Sequence, residues 1–367
     1  MSPTPLARRL PQFPWDRLTD ARNVATRHPD GLVDLSVGTP VDPVPDVVRQ
    51  ALATASDSPG YPTVHGTAAL RAAAVDWMER RLSVTAVGTD AVLPAIGSKE
   101  LVASLPMLLG LGNGSRIMVP ELAYPTYDIG ARVVGADVIV ADSTMAVGPG
   151  RVDLVWLNSP GNPTGRVLPA EHLRKVVTWA RERGAVVVSD ECYVELGWDA
   201  QPVSVLHPEV CGETADGVLA LHSLSKRSNM AGYRAGFVTG DASLIAAMLE
   251  ARKHLGCMMP SPVQAAMQAA LDDDAHVVEQ RRRYSGRRQL LVAAVREAGF
   301  VVDHSEAGLY LWLTRDEPCM QTVSWFAQRG VLVAPGDFYG VRGAKHVRVA
   351  LTASDEHIQA AAARIAG

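Results

Sequence analysis

Lys226 lies in a segment whose residue types suit covalent chemistry beside a phosphate group. Ser223 and Ser225 precede the lysine and Arg234 follows it, and the whole segment comes directly after an apolar stretch. An amine can bond covalently to an aldehyde, whereas hydroxyls and a guanidinium bind a phosphate dianion. This one loop offers all three groups. A solvated, Ser-rich basic turn is the alternative interpretation, and the loop alone leaves it open.

A second segment, residues 187–193, places Asp190 at the end of a predicted buried strand. A carboxylate there could pair with the ring nitrogen of pyridoxal 5′-phosphate (PLP) and keep it protonated, as the electron sink of that cofactor requires. Tyr193 could donate to the phenolic oxygen of the cofactor. An aspartate that caps the next turn is the alternative. Cys192 has no activating histidine evident beside it, so we interpret it as a small buried residue.

Three further segments follow predicted strands. Residues 157–165 form a turn by composition, in which Asn162 could donate to a cofactor oxygen. Residues 96–101 open a predicted helix, where the backbone N–H groups near Ser98 and Lys99 could bind phosphate. Lys99 also competes with Lys226 as the reactive amine, although its backbone would face the phosphate. Tyr124 could stack on a planar ring, with a core-filling tyrosine as the alternative.

Composition narrows the class of protein. The 367 residues are 47% hydrophobic with a formal net charge of -4, which predicts about two domains and no nucleic-acid or membrane partner. No apolar run reaches the roughly 18 residues that span a bilayer, and the N-terminal residues lack a signal-peptide core, so we expect a cytoplasmic protein. The four cysteines have no CxxC spacing and the histidines form no metal motif, which predicts neither disulfides nor a metal site.

The elements that must position these side chains alternate in an α/β pattern. Short apolar strands are predicted at residues 91–95, 116–119, 137–141, 153–157, 185–189, 217–222 and 235–239. Helices are predicted at 67–82 and 170–183, and then at 241–254, 261–272 and 274–298. Short strands near 300–302, 310–313 and 347–351, with a closing helix from 354, predict a smaller α+β domain. We expect an arm at 1–40, a large cofactor-binding domain at 41–255 and the small domain at 256–367.

These motifs, in this order, resemble the fold-type-I PLP-dependent aminotransferases of class I/II. The resemblance runs from residues 36–40 through 60–71 to 346–351. It implies a large domain with a mostly parallel seven-stranded sheet beside a smaller α+β domain. Residues 13–16, 34–43, 120–128 and 333–340 are most similar to the actinobacterial N-succinyldiaminopimelate aminotransferases.

The resemblance also implies a role for each motif residue. Lys226 would hold PLP as a Schiff base, and Asp190 would pair with the pyridine nitrogen. The other cofactor contacts would come from Tyr193 and Asn162 at the phenolic oxygen, Tyr124 on the ring, and Ser98, the Lys99 backbone, Ser223 and Arg234 at the phosphate. Gly161 departs from a common pattern in relatives, but the inferred contact belongs to Asn162.

Substrate and partner contacts follow from the same resemblance. Gly38 and Arg348 would bind the α-carboxylate of the substrate, and Tyr61 would reach the phosphate of a neighbouring subunit, which makes a homodimer with shared sites. The implied reaction moves an amino group between glutamate and a 2-oxo acid. N-succinyl-2-amino-6-oxopimelate, of diaminopimelate and lysine biosynthesis, is the expected acceptor.

Other functions stay open at the level of sequence. An aspartate- or alanine-type aminotransferase and a PLP lyase use the same scaffold. A nucleotide-binding oxidoreductase or a non-catalytic binding protein has only the GxGxG run at residues 110–114, which precedes a strand instead of following one. Arg17, Arg22 and Arg132 are cations available for the distal end of the substrate, and nothing in the sequence places them.

Overall fold

A seven-stranded sheet forms the centre of the computed structural model, which describes residues 5–8, 10–148 and 150–367. Residues 1–4 and 9 of the predicted arm lie outside the described residues. The strands of this sheet are β2 (Val92–Ile96), β3 (Arg116–Val119), β4 (Asp137–Val140), β5 (Leu154–Asn158), β6 (Val186–Asp190), β7 (Val218–Ser223) and β8 (Ala235–Gly240). Their order is β2-β8-β7-β6-β5-β3-β4, and β8 alone among them runs antiparallel to its neighbours. The predicted mostly parallel seven-stranded sheet is therefore confirmed.

The strands match their predicted positions closely because both faces of the sheet are covered. Every residue of β7 and β8 is buried, and neither strand alternates apolar with polar residues. The larger helices around the sheet are α2 (Asp46–Thr54), α3 (Ala68–Leu82), α4 (Ser98–Leu108), α5 (Thr126–Val134), α6 (Ala170–Arg181), α9 (Ala242–Leu255) and α10 (Ser261–Asp272). Two single-turn helices, α7 (Pro208–Cys211) and α8 (Leu224–Arg227), lie in the connections.

Helices α2 and α5 were not predicted from the sequence. Each is nine residues long, and α5 contains Gly130. A Cβ at Gly130 would lie 3.0 Å from the backbone oxygen of Val102, so the glycine permits close packing of α5 on α4. Glycine has a low helix propensity, so a glycine that is required for close packing weakens the local sequence signal for a helix.

A second, four-stranded sheet is built from the C-terminal part of the chain. Its order is β12-β13-β10-β9, with antiparallel pairing throughout. The strands are β9 (Val301–Asp303), β10 (Tyr310–Thr314), β12 (Ala334–Pro335) and β13 (His346–Ala350), and the helices of this region are α11 (Ala275–Glu297), α12 (Cys319–Gln328) and α13 (Asp355–Ala366). Helix α12 was also missed by the sequence analysis.

The N-terminal residues pack against this second sheet region. A 3-10 helix at Pro14–Leu18 leads into α1 (Thr19–Thr26). Strand β1 (Val33–Asp34) then pairs in parallel with β11 (Val331–Leu332). The domain boundaries at residues 40 and 255 stay a prediction.

The topology brings several strand ends to one edge. Strands β2, β3, β5, β6 and β7 all end at the same edge of the large sheet, because β2 and β7 both pair antiparallel with β8. Carboxyl ends of parallel strands are where α/β proteins bind ligands. Strand β13 of the small sheet contributes Arg348 to this same region. No helix in the described part of the chain is long and apolar enough to cross a membrane.

Candidate active site

A single cavity of about 1150 Å³ gathers nearly all of the predicted site residues. It is lined by Gly38, Ser98, Lys99, Tyr124, Asn162, Asp190, Tyr193, Ser223, Lys226, Arg234 and Arg348. The motifs on which the sequence analysis relied, separated by up to 310 positions, therefore converge. Tyr61 is the exception, since it lies outside the cavity with 95% of its surface exposed.

Asp190 is a buried carboxylate at the end of β6. Its two oxygens accept hydrogen bonds from the Tyr127 hydroxyl at 2.8 Å and from the Cys192 backbone N–H at 3.2 Å. No cation forms an ion pair with it among the residues that the structure describes. Burial raises the pKa of Asp190 above its usual range, and the hydrogen bonds from Cys192 and Tyr127 offset only part of that rise. The carboxylate is thus fixed in orientation but lacks a positive partner.

Lys226 lies in α8, one turn after the end of β7. Its Nζ donates a hydrogen bond to the backbone oxygen of Gly38. Burial lowers the pKa of Lys226, and the positive charges of Arg348 and Arg234 lower it further. Lys226 is partly buried, and an amine with a lowered pKa is more readily unprotonated, the form that acts as a nucleophile or a base.

The start of α4 and the residues around Lys226 form a polar cradle. The Ser223 hydroxyl donates to Ser225 Oγ at 2.9 Å, and Ser98 begins α4 directly after Gly97. Gly97 has a φ of +81°, and a Cβ there would lie 2.2 Å from the Arg234 guanidinium. Only glycine therefore lets the backbone approach Arg234 in this way. Hydroxyls, a guanidinium and a helix N-terminus together suit an anion.

Arg348 is a buried cation whose contacts hold it in place without neutralising it. Its guanidinium donates to Asn162 Oδ1 at 2.9 Å and to the backbone oxygen of Ser36 at 2.7 Å. It lies 3.9 Å from the ring centre of Tyr310. Only 3% of Arg348 is exposed, and in the described part of the chain it has no carboxylate partner. A buried guanidinium in this state suits a ligand carboxylate.

Three aromatic side chains complete the inner wall. Burial raises the pKa of Tyr124 to about 12, so its ring is neutral and able to pack against another ring. The Tyr193 hydroxyl lies 3.1 Å from that of Tyr310. Burial, with Tyr310 as neighbour, raises the pKa of Tyr193 well above its usual value, which keeps it a hydrogen-bond donor.

Several residues of the site were missed from the sequence. Tyr310, Tyr127 and Asn158 were not singled out, yet Asn158 Oδ1 accepts from the Asn162 N–H at 2.8 Å and Asn158 Nδ2 donates to the Asp190 backbone oxygen at 2.9 Å. Register explains this pairing, because Asn158 and Asp190 are neighbours in β5 and β6. Tyr127 lies within residues 120–128, a segment on which the resemblance rests, so its spacing from Tyr124 was an available signal.

The three arginines that the sequence could not place have different positions. Arg17 and Arg132 line the cavity, but Arg17 pairs with Asp337 at 2.9 Å and Arg132 with Asp128 at 2.6 Å. Arg22 pairs with Asp34 at 2.7 Å and is not among the lining residues.

The groups in the cavity fit PLP. Asp190 is a buried carboxylate that needs a cation, which a protonated pyridine nitrogen would supply. A Cβ at Gly97 would fill the polar cradle of Ser98, Ser223 and Arg234, whose chemistry suits a phosphate. In contrast, the glycine run at 110–114 lies between α4 and β3 and does not line the cavity.

Comparison with known proteins places the chain in a family. The sequence model for aminotransferase class I and II matches residues 30–365. A probable aminotransferase of Mycobacterium tuberculosis is 62% identical over 97% of this chain and 85% of that protein. The 4-dedimethylamino-4-oxo-anhydrotetracycline transaminase of Streptomyces rimosus is 58% identical over 98% of this chain and 99% of that protein.

Solved structures agree in fold over the whole chain. The N-succinyldiaminopimelate aminotransferase of M. tuberculosis has a TM-score of 0.87 at 26% identity and covers 100% of this chain and 99% of its own. An aminotransferase from Neisseria meningitidis has a TM-score of 0.90 at 31% identity, covering 98% of each chain. The chain therefore belongs to the class I and II aminotransferases, a PLP-dependent family.

Proposed function

We propose that Lys226 and Asp190 are the central catalytic pair of this aminotransferase. The observation that carries the proposal is that one cavity contains both a carboxylate without a cationic partner and an amine with a lowered pKa. Asp190 is buried without a cation among the described residues, while Lys226 is a partly buried amine whose pKa is lowered. PLP, when bound, supplies an aldehyde for an amine and a ring that accepts electrons once its nitrogen is protonated.

The side chains divide the work by position. Asp190, held by Tyr127, would keep a proton on the ring nitrogen, and Tyr193 and the amide group of Asn162 would donate to the phenolic oxygen. Ser98, the Lys99 backbone, Ser223 and Arg234 would hold the phosphate, and Tyr124 would pack on the ring. Support comes from the shared cavity and from the cradle at the start of α4.

Lys226 then acts as the base of the reaction. With PLP bound, its Nζ would take a proton from the Cα of the amino acid and deliver it to the carbon of the cofactor's aldehyde group. Arg348 holds the α-carboxylate of that amino acid, with Gly38 beside it. The hydrogen bond from Lys226 to the Gly38 oxygen supports this, since it brings the amine to the place where the substrate would bind.

We propose glutamate as donor and N-succinyl-2-amino-6-oxopimelate as acceptor. A similar solved structure bears the name N-succinyldiaminopimelate aminotransferase. The cavity is large enough for a long acceptor, and Lys99 lines it without an ion-pair partner among the described residues. The Lys99 ammonium could therefore meet a distal carboxylate while its backbone N–H serves the phosphate.

A second candidate acceptor has support of its own. The S. rimosus relative, 58% identical, is named for a 4-oxo-anhydrotetracycline. Phe13, Trp15 and Phe338 line the cavity as an aromatic group, in which the Trp15 ring stacks on Phe13 at 5.5 Å and lies tilted against Phe338 at 5.4 Å. Such a wall would suit a large apolar acceptor.

A homodimer with shared sites completes the proposal. Tyr61 is exposed in the single chain, as a residue that serves a neighbouring subunit would be. Tyrosine is enriched at protein–protein interfaces relative to the rest of the protein surface. We propose that its hydroxyl reaches the phosphate held by the partner subunit.

The role of Asp190 can be tested by Asp190→Asn. The substitution keeps hydrogen bonding to Tyr127 and Cys192 possible, so we expect the protein to fold and to bind some PLP. Its transamination rate should fall by several orders of magnitude, because a neutral amide cannot hold the pyridinium charge. Single-turnover kinetics with glutamate would measure this. Near-normal rates would show that Asp190 only orders the turn after β6.

The acceptor can be identified by kcat/KM for a panel of oxo acids with glutamate as donor. The succinylated acceptor should exceed the unsuccinylated compound by at least about tenfold, or ~1.4 kcal/mol, because removing the group leaves buried polar partners unsatisfied. Lys99→Met should reduce this preference and leave pyruvate unaffected. Best use of oxaloacetate or pyruvate would refute the proposed acceptor, and best use of the oxo-anhydrotetracycline would support the second candidate.

Shared sites can be tested by mixing two inactive or weakened subunits. Tyr61→Phe should weaken PLP binding at the neighbour's site, and Lys226→Ala should abolish activity at its own. In a mixed dimer one site contains both native residues, so part of the activity and PLP affinity should return. Sedimentation as a monomer, or mixing without recovery, would contradict the shared site.

A further inference from the structure

Ser228, His276 and Asp273 form a hydrogen-bonded chain close to Lys226. The Ser228 hydroxyl is 2.7 Å from His276 Nε2, and His276 Nδ1 is 2.5 Å from Asp273 Oδ2. Burial lowers the pKa of His276, so the ring is neutral near pH 7. In the neutral ring, Nδ1–H donates a hydrogen bond to Asp273, and Nε2 accepts a hydrogen bond from the Ser228 hydroxyl.

This arrangement resembles a nucleophilic triad, but its burial argues against that chemistry. Ser228 has no exposed surface and is absent from the residues that line the large cavity. A nucleophile must be reached by its substrate, so Ser228 cannot serve as one in this conformation. Because Ser228 follows Lys226 by two residues, the contact instead fixes the backbone that carries the lysine.

Two more residues of α11 make equivalent contacts. The Tyr284 hydroxyl donates to the Lys226 backbone oxygen at 3.3 Å, and Gln280 Oε1 accepts from the Asn229 side chain at 2.9 Å. Residues 276, 280 and 284 are spaced by four and therefore lie on one face of the helix. We call this face the α11 row (His276, Gln280 and Tyr284). Its hydrogen bonds reach three of the four residues from Lys226 to Asn229.

The row also connects Lys226 to the predicted carboxylate-binding loop. Gln280 Nε2 donates to Asp42 at 2.7 Å, and Arg287, one turn beyond the row, donates to both Asp42 oxygens at 2.6 and 2.8 Å. Asp42 follows Gly38 by four residues, and the Gly38 oxygen accepts from Lys226. The lysine backbone and the loop that contacts its amine are thus braced against one helix.

We propose that the α11 row is a positioning device, which sets where the Lys226 amine lies relative to Gly38, Arg234 and Arg348. The inference rests on the proposed role of Lys226. None of the three residues of the row is among those that line the cavity. We therefore expect the row to act mainly on proton transfer and on the charges around the amine, and less on the affinity for substrate.

The test compares three variants as PLP-loaded enzymes. Gln280→Leu removes the contacts to Asn229 and Asp42, and Tyr284→Phe removes a single hydroxyl, which keeps the test valid if the first variant folds poorly. Arg282→Gln is the control, since it changes an exposed ion pair with Glu279 on the same helix. The measurements are melting temperature, kcat, KM for glutamate, and the pH at which the visible absorption of the holoenzyme titrates.

Both row variants should lower kcat about tenfold, because small displacements of a reacting group are costly, with KM within about threefold. The absorption midpoint should move by about half a pH unit or more, since the amine shifts relative to Arg234 and Arg348. Folded variants with unchanged kcat and midpoint would overturn the inference and leave the row a purely structural contact. If the wild type shows no visible absorption band, the role of Lys226 and the inference fall together.

Discussion

The site depends on a carboxylate that the fold buries without a cation. Asp190 ends the central strand β6, and its neighbours Tyr127 and Cys192 supply hydrogen bonds but no charge. Burying an ionised carboxylate in this way costs free energy that a protonated ring nitrogen would offset. The remaining groups of the cavity are arranged around that requirement. The polar cradle lies at the start of α4, Tyr124 and Tyr193 lie at the wall, and Lys226 follows the adjacent strand.

The second sheet supplies two side chains of the cavity, Arg348 and Tyr310. Strands of the large sheet deliver the groups that suit PLP, whereas Arg348 comes from β13 and Tyr310 from its antiparallel neighbour β10. Tyr310 packs against Arg348 and lies beside Tyr193, so it connects the second sheet to the segment that follows β6. A Cβ at Gly38 would lie 2.2 Å from the Tyr310 hydroxyl, which explains why glycine is needed there.

Sequence reasoning succeeded where a residue's environment is set by its own strand or loop. Asp190 and Lys226 each follow an apolar run, and the ends of such runs meet at one edge in any parallel sheet. It failed where contacts join distant segments. Tyr310 reaches Tyr193 across 117 positions, and the polar face of α11 looks like an ordinary charged helix until its partners near Lys226 are known. Helices α2 and α5 were missed because they are short and their stability comes from packing.

The most direct test of the account is to locate the covalent attachment of the cofactor. The purified protein, loaded with PLP and reduced with borohydride, would be digested and its labelled peptide sequenced by mass spectrometry. We predict that the label lies on Lys226, with Lys226→Ala unlabelled and Lys99→Met labelled as in the wild type. A label on Lys99, or no label on any peptide, would contradict the account, because Asp190 and Lys226 would then have another purpose.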